Sequence, residues 1–510
     1  MSKCILAHDL GTTGDKATLY DKNGELLRSA VTSYETFRPH NGWAEQNPED
    51  WWDAVCSSTK ELLEDSKVNK DDIAAISFSG QMMGCLPLDA NGTPLRRSII
   101  WADQRSVSQA EKLEREIGRN NLYGITGHRV SPTYSLAKIM WVMENEPEVY
   151  EDTYKFVHAK DYIVKKLTGK FVTDYSDASG MNLYDINEKC WSEEIIEGAN
   201  LNVEKLPEVR SSFDVIDGVR SSIAGEVGLK PDTPVVLGAG DGSAASVGAT
   251  VVQEGSAYNY IGSSSWIALA AKEPILDPER RTFNWIHMNP ELYVPCGTMQ
   301  AAGASYSWLK ETICHAERAA ARDLDLDPYE LMNLSVEDSV PGSRNLLYLP
   351  YLQGERSPHW NPKARGAFVG LTMRHERKDI IRSVLEGVTF NLKIISEIFE
   401  KEIDFSQITA IGGGARGGAW RQILADIYDK DINIRAVTEE ATSLGAAIAG
   451  GVGVGIFESE TVASEFNPVE KKCKPNPSAV KSYDELLPVF KKAYHSLLDV
   501  YDELAALDEE

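Results

Sequence analysis

Residues 4–34, "CILAHDLGTTGDKATLYDKNGELLRSAVTSY", carry the pattern on which the fold turns. An apolar run ends in a carboxylate, Asp9, and enters the turn Gly11-Thr12-Thr13-Gly14. Two alternating runs follow, joined by Asn23-Gly24. Asn-Gly between alternating runs predicts a hairpin, because the tightest turn needs positive φ at both central residues. Next, "QNPEDWWDAVCSSTKELLEDS" places Asn47 at an N-cap and Pro48 at the first helical position. Trp51, Trp52, Val55, Leu62 and Leu63 then share one helical face. "IAAISFSG" (73–80) is another strand closed by glycine, so the N-terminal order is strand, hairpin, helix, strand.

The second half echoes this plan. "SAYNYIGSSSWIALAA" (256–271) reads as strand, Gly-Ser-Ser-Ser turn, strand. "RKDIIRSVLEGVTFNLKIISEIFEK" (377–401) puts Ile381, Val384, Leu385, Val388, Leu392 and Ile395 at helical spacing. "ITAIGGGARGGAWRQILADIYD" (408–429) then reads as strand, triple glycine, helix. The echo is architectural, not a sequence repeat. It predicts duplicated α/β domains facing a shared cleft, residues 1–250 and 251–510. A tail over 479–506 carries Leu486, Val489, Phe490, Ala493, Leu497, Val500 and Leu504 on one expected helical face.

Composition narrows the class. The 510 residues are 42% hydrophobic and 25% charged, ordinary for a globular protein. The formal charge of −25, with no basic patch, argues against nucleic acid as a partner. Seven cysteines without a C-x-x-C fit reduced core thiols in a cytoplasmic protein. No secretory signal pattern begins the chain. The least polar run, "TSLGAAIAGGVGVGIF" (442–457), is too short and glycine-rich to span a membrane and reads as a buried helix with close backbone approach.

Four groups of residues could carry chemistry. A strand ending in Asp9 and entering a Gly/Thr turn offers N–H groups and hydroxyls to phosphates, with Asp9 free to hold hydrated Mg²⁺. The turn Gly262-Ser263-Ser264-Ser265 echoes it, and two opposed hydroxyl-rich turns could grip a triphosphate from both sides. Gly412-Gly413-Gly414 permits close backbone approach to a ligand, or simply a tight strand-to-helix turn. Gly80-Gln81-Met82-Met83-Gly84 and Trp101-Ala102-Asp103-Gln104-Arg105 each follow a strand-like run. They offer amide, carboxylate and indole groups to a polyol, or a structural Asp–Arg pair under a core tryptophan. Last, "VVLGAGDGSAASVGA" (235–249) isolates Asp241 between glycines. It fails the dinucleotide fingerprint, and no G-x-x-x-x-G-K-[ST] occurs. By itself it reads as a turn aspartate or a base. The histidines form no metal constellation at sequence level.

Taken in order, these segments resemble the FGGY carbohydrate kinases of the actin-like ATPase superfamily, over roughly residues 4–455. "DLGTTGDK" resembles the family's first phosphate loop; "GWAEQNPEDWW", "SGQMMG" and "WADQR" resemble the sugar-binding part, closest to its xylulokinase branch. "SPTYSLAKIMWV" and "KDYIVKKLTGKFVTDYSDASG" resemble its middle, and "GAGDGSAASVGA" its catalytic segment. "LPYLQGERSPHWNPKARGAFVGLT" and "IGGGARGGAWRQILADI" resemble its nucleotide-side signatures.

The resemblance implies an α/β fold of two ribonuclease-H-like domains flanking a central cleft, with sugar on the first and ATP with Mg²⁺ mainly on the second. It implies Asp241 as general base and sugar contacts from Gln81, Met82, Met83, Trp101, Asp103 and Asp241. Nucleotide contacts would come from Gly11, Thr12, Thr13, Lys16, Gly262, Ser263, Ser264, Gly303, Gly413, Gly414 and Ala415, and the metal would sit at Asp9. The implied reaction is ATP-dependent phosphorylation of a ketopentose terminal hydroxyl, first D-xylulose to D-xylulose 5-phosphate. Ribulose, erythritol or glycerol, or a non-catalytic binding role, are the alternatives. A homodimer is a further implication.

Two departures bear on the substrate. Met83 stands where histidine is usual, and a thioether is a weak acceptor where an imidazole can donate. Ser263 and Ser265 stand where threonine and glycine are usual.

Overall fold

In the first half, strand β1 (Cys4–Leu10) pairs antiparallel with β2 (Gly14–Asp21), and β2 with β3 (Leu26–Ser33). Strand β4 (Ile73–Gly80) runs parallel to β1. Strand β5 (Val215–Gly218) lies antiparallel to β6 (Pro234–Val236), which runs parallel to β4, as does the short β7 (Ala239–Gly240). The sheet order is β5-β6-β4-β1-β2-β3, with β7 also beside β4. The structure is a computed structural model and describes residues 3–66 and 68–508.

The second sheet comprises β8 (Ala257–Ile261), β9 (Ser265–Leu269), β10 (Phe283–Ile286), β11 (Tyr293–Met299), β12 (Gln407–Ile411), β13 (Asp431–Arg435) and β14 (Val469–Cys473). Its order is β10-β11-β9-β8-β12-β13-β14. Outward from the first strand of each sheet, one side is antiparallel, β2-β3 in the first sheet and the longer β9-β11-β10 in the second. The other side has two parallel strands and an antiparallel edge in both sheets. The duplication foreseen in the sequence is one of topology. Strand β1 is buried along most of its length because helices cover both faces of the sheet, which is why it reads as a continuous apolar run.

The helices that matter to the site are α1 (Pro48–Ser66), α2 (Ser135–Asn145), α3 (Ala159–Thr168), α4 (Asp241–Gly248), α5 (Gly303–Thr312), α6 (Arg377–Phe399), α7 (Ala441–Gly453), α8 (Pro477–Ser496) and α9 (Leu498–Asp508). Helix α1 starts at Pro48 and buries Trp51, Trp52, Val55 and Leu62. Helix α6 buries every apolar position that its spacing selects, Ile381 through Ile395.

Helix α7 belongs to the second half of the chain but packs on the first sheet, where Gly450 lies against Ile5 and Ser77. It also crosses α4 backbone to backbone. A Cβ on Gly248 would fall 1.7 Å from the Ala441 carbonyl, and one on Gly445 would fall 2.0 Å from the Ala244 carbonyl. These two pairs run in opposite chain directions, so the helices are antiparallel. The glycine-rich run is thus a buried helix between the two sheets.

The tail differs from its expected face. It breaks into α8 and α9, and the buried stripe is Ala479, Tyr483, Leu487, Phe490, Tyr494 and Tyr501. Val489, Val500 and Leu504 are exposed. At Tyr483 the hydroxyl finds partners: it donates to Glu386 at 2.6 Å, and Arg382 donates to it at 2.8 Å.

Candidate active site

The C-terminal ends of β1, β4 and β7 converge. Asp9 lies opposite Ser79 on β4; Ala239 lies opposite Ser79 and Gly240 opposite Gly80. Asp241 follows Gly240 and opens α4. Asp9 and Asp241 therefore flank β4, two strand spacings or about 9–10 Å apart. Carboxyl ends of parallel strands are where ligands bind in open α/β sheets. Asp241 is open to the cleft water, yet the cleft walls displace bulk solvent around it. This burial, with Asp9 and Asp177 as like charges, pushes its pKa up to about 7, against the lowering effect of the Gly242 N–H. Burial likewise raises Asp9 to about 6; Ser79 and Lys16 oppose this, and Asp15 adds to it.

Asp241 lines a pocket of about 390 Å³ with Met82, Met83, Trp101, Tyr134 and, from the second sheet, Trp285. Met82 fills the space in front of Gly240, where a Cβ would come within 2.6 Å of its Cγ. That glycine makes room for Met82 beneath the site; Gly242 faces the pocket, its nearest neighbour being Trp285 Nε1 at 3.8 Å from a Cβ. Trp101 donates from Nε1 to Thr12 Oγ1 at 3.0 Å, tying the pocket wall to the first loop. Met83 has a left-handed backbone, φ 64°, uncommon for a bulky side chain.

Two expected sugar contacts are corrected. Asp103 is fully buried, and its oxygens accept from Arg105 Nε at 2.9 Å, Arg105 Nη2 at 2.8 Å and Ala44 N–H at 2.5 Å. The fork geometry of Arg105 consumes the carboxylate, so it does not reach the pocket. Gln81 is also buried, its amide donating to Gln46 Oε1 at 2.7 Å and Gly11 O at 3.4 Å. It braces the first loop from below.

Around the nucleotide-side residues, the two turns and the triple glycine take different roles. Thr12 and Gly11 are half-buried and Thr13 is exposed. Lys16 lies opposite Asp9 on β2 and reaches Glu440 at 3.9 Å. The 262–264 turn sits on the start of α5: Gly303 N–H donates to Gly262 O at 2.9 Å, and Ala302 and Ala304 N–H both donate to Ser263 O. Ser264 lines the pocket and Ser263 is exposed. Ser265, by contrast, turns its hydroxyl into the sheet, donating to Tyr260 O at 2.5 Å. A Cβ on Gly413 would meet nothing within 4 Å, whereas one on Gly414 would fall 2.3 Å from Ile261 Cγ2. Gly413 is therefore the open position. Gly414 packs against Ile261 and Ala415 is buried, so a nucleotide contact from either would be made by backbone.

Beneath Asp241 lies a charge cluster that the sequence did not reveal. His158, Asp161 and Asp177 approach closely enough to hold a metal ion. The cation there is the protein's own: buried Lys160 Nζ lies 2.7 Å from Asp161, 3.0 Å from Asp174 and 3.1 Å from Asp177. Ser176 Oγ donates to Asp174 and accepts from Gly240 N–H at 2.9 Å, so the cluster anchors the residue before Asp241.

Sequence reasoning also missed Tyr134, Trp285 and Arg356 in the pocket. Nothing in their local pattern separates them from core residues; the second sheet brings Trp285 over Gly242. Arg356 lines the pocket, and among the described residues its guanidinium has no hydrogen-bond or ion-pair partner. No helix among the described residues is long and apolar enough to cross a membrane.

The chain as a whole is similar to known proteins. A gluconokinase of Bacillus licheniformis is 32% identical over 507 residues, 99% of this chain and 98% of its own. A xylulose kinase of Lactococcus lactis is 34% identical over 511 residues, 99% of each chain. A ligand-bound xylulose kinase structure from Lactobacillus acidophilus superposes with a TM-score of 0.91 at 29% identity, over 98% of this chain and 100% of that one. A gluconate kinase structure from the same species gives 0.92 at 28% identity, over 99% and 100%. Residues 4–248 match the N-terminal domain of the FGGY family of carbohydrate kinases and residues 257–454 its C-terminal domain, and the chain belongs to that family.

Proposed function

We propose that the protein transfers the γ-phosphoryl group of ATP to the terminal hydroxyl of an open-chain sugar, with D-xylulose as first substrate. The observation that carries this is Asp241, a carboxylate at a helix start, lining the same pocket as Met82, Met83 and Trp101. Phosphoryl transfer needs positioning and charge neutralisation more than covalent chemistry. Asp241 accepts the hydroxyl proton as that oxygen bonds to the γ-phosphorus and ADP leaves. Its pKa, near 7, suits a base operating at neutral pH. Thr12 and Thr13, the 262–264 turn and the open face of Gly413 would hold the nucleotide. Asp9 fits Mg²⁺: it is a half-buried oxygen donor whose carboxylate burial disfavours and a cation would restore. When bound, Mg²⁺ would neutralise phosphate charge.

A second reading is D-gluconate, favoured by Arg356, whose unpartnered guanidinium in a largely aromatic pocket matches a substrate carboxylate. ADP release measured with D-xylulose, D-ribulose, D-gluconate, erythritol and glycerol decides between them. The first reading expects the highest kcat/KM with D-xylulose and little selective effect of Arg356→Met. Preference for D-gluconate, lost about 100-fold in Arg356→Met, would replace it by the second. No sugar-dependent ADP release with any of them would sink both.

A further inference from the structure

Lys138, on α2, is fully buried, and no carboxylate among the described residues lies within ion-pair distance of it. A buried ammonium without a contacting carboxylate is costly, and burial pulls its pKa down to about 7, against the more distant Cys85 and Asp103, which favour the charge. Such a group needs a geometric reason to be there. Its Nζ donates to the Met83 carbonyl at 3.1 Å and to the Thr133 carbonyl. These carbonyls belong to two chain segments that line the Asp241 pocket, one with Met82 and Met83 and the other with Ser131, Thr133 and Tyr134. The left-handed turn at Met83 sends its carbonyl to Lys138 while its side chain lines the pocket. Next to this link, Ser135 Oγ donates to Gly84 O at 2.8 Å.

We propose that Lys138 is a positioning residue for sugar selection: its ammonium clamps the Met83 and Thr133 carbonyls together and so fixes how these two lining segments, and the left-handed turn that presents Met83, are set in the sugar pocket. The proposal rests on reading this pocket as the sugar site. Lys138 touches no reacting atom. It acts through two backbone carbonyls, and a methionine of similar length would leave both unpaired.

The test is a double-mutant cycle between Lys138→Met and Met83→Gly, run with ATP and both D-xylulose and D-gluconate. Lys138→Met is expected to raise sugar KM about tenfold or more, leaving kcat and ATP KM within about threefold, because it removes binding geometry and not chemistry. Glycine adopts the left-handed turn unaided, so in the Met83→Gly background the effect of Lys138→Met should shrink to under about threefold. Additive effects, or equal losses in kcat and in both KM values, would overturn the proposal. A second readout needs no substrate: amide hydrogen exchange at 82–85 and 131–135 should accelerate in Lys138→Met, with α7 unchanged. If neither sugar is phosphorylated by the wild type, the functional reading fails while the exchange arm still judges the clamp; unchanged exchange overturns it. Lys138→Leu, which also removes the donor, substitutes with the same expected outcomes if the methionine variant does not fold. Failure of both to fold makes Lys138 a stability residue and also overturns the proposal.

Discussion

Asp241 meets two opposed demands, a helix start that favours its charge and a crowded, acidic cleft that disfavours it. Burial and the neighbouring Asp9 and Asp177 win, and the carboxyl sits near 7. Two outcomes follow for Asp241→Asn. Its kcat should fall by about 10²–10⁴-fold, the span of a general base, with both KM values little changed. Its stability should move the other way. A carboxyl whose folded pKa is raised from 3.8 to about 7 contributes stability that is complete below 3.8 and lost as pH rises through about 7. Asparagine never ionises, so the thermal midpoint of Asp241→Asn at pH 8 should equal or exceed that of the wild type, and scanning calorimetry reads this directly. In the wild type, kcat/KM should fall tenfold per pH unit below about 7, where the free enzyme's base is protonated. A flat profile from pH 5 to 8 would contradict the assignment.

Elements carry a different kind of constraint. Helices α4 and α7 cross where each has glycine facing the other's backbone carbonyl. Backbone cannot give way as a side-chain tip can, so Gly445→Val should cost about 3 kcal/mol, the upper end of overpacking, and lower the thermal midpoint. Gly413→Ala is the contrasting case. Its Cβ would enter open space, so stability should stay within about 0.5 kcal/mol while ATP KM rises and sugar KM holds. A fall in stability of Gly413→Ala matching that of Gly445→Val would show that the triple glycine is a packing device throughout.

For the whole molecule, the pocket takes walls from both sheets, Met82 and Asp241 from the first and Trp285 from the second. Between the sheets lie α4 and α7, which cross with backbone against backbone at Gly248 and Gly445. Such a joint suits closure around ligands, which would exclude water from a kinase site. Small-angle scattering should show the radius of gyration, expected near ~23–24 Å, falling by about 0.5–1 Å when sugar and a non-hydrolysable ATP analogue are both added. No change, alongside full activity, would mean that catalysis proceeds without closure.

Local sequence determined the elements and the chemistry-bearing turns. The hairpin at 21–25 forms where Asn23-Gly24 marks it, with Gly24 alone left-handed and Asp21 accepting from the Asn23 and Glu25 N–H groups; the spacing of Ile381 to Ile395 specifies α6, and glycines around Asp9 and Asp241 mark strand ends, because each depends on neighbours within a few residues. The family likewise was legible from ordered motifs. Tertiary structure alone decided which polar residues are spent on the scaffold. Asp103 and Gln81 looked like sugar contacts until Arg105 and Gln46 claimed them. Lys138, Lys160, Trp285 and Arg356 came from segments 138 to 356, whose meeting no local pattern encodes. A buried charge or an open glycine is defined by what lies across space from it, and that is fixed only when the two sheets pack around α4 and α7.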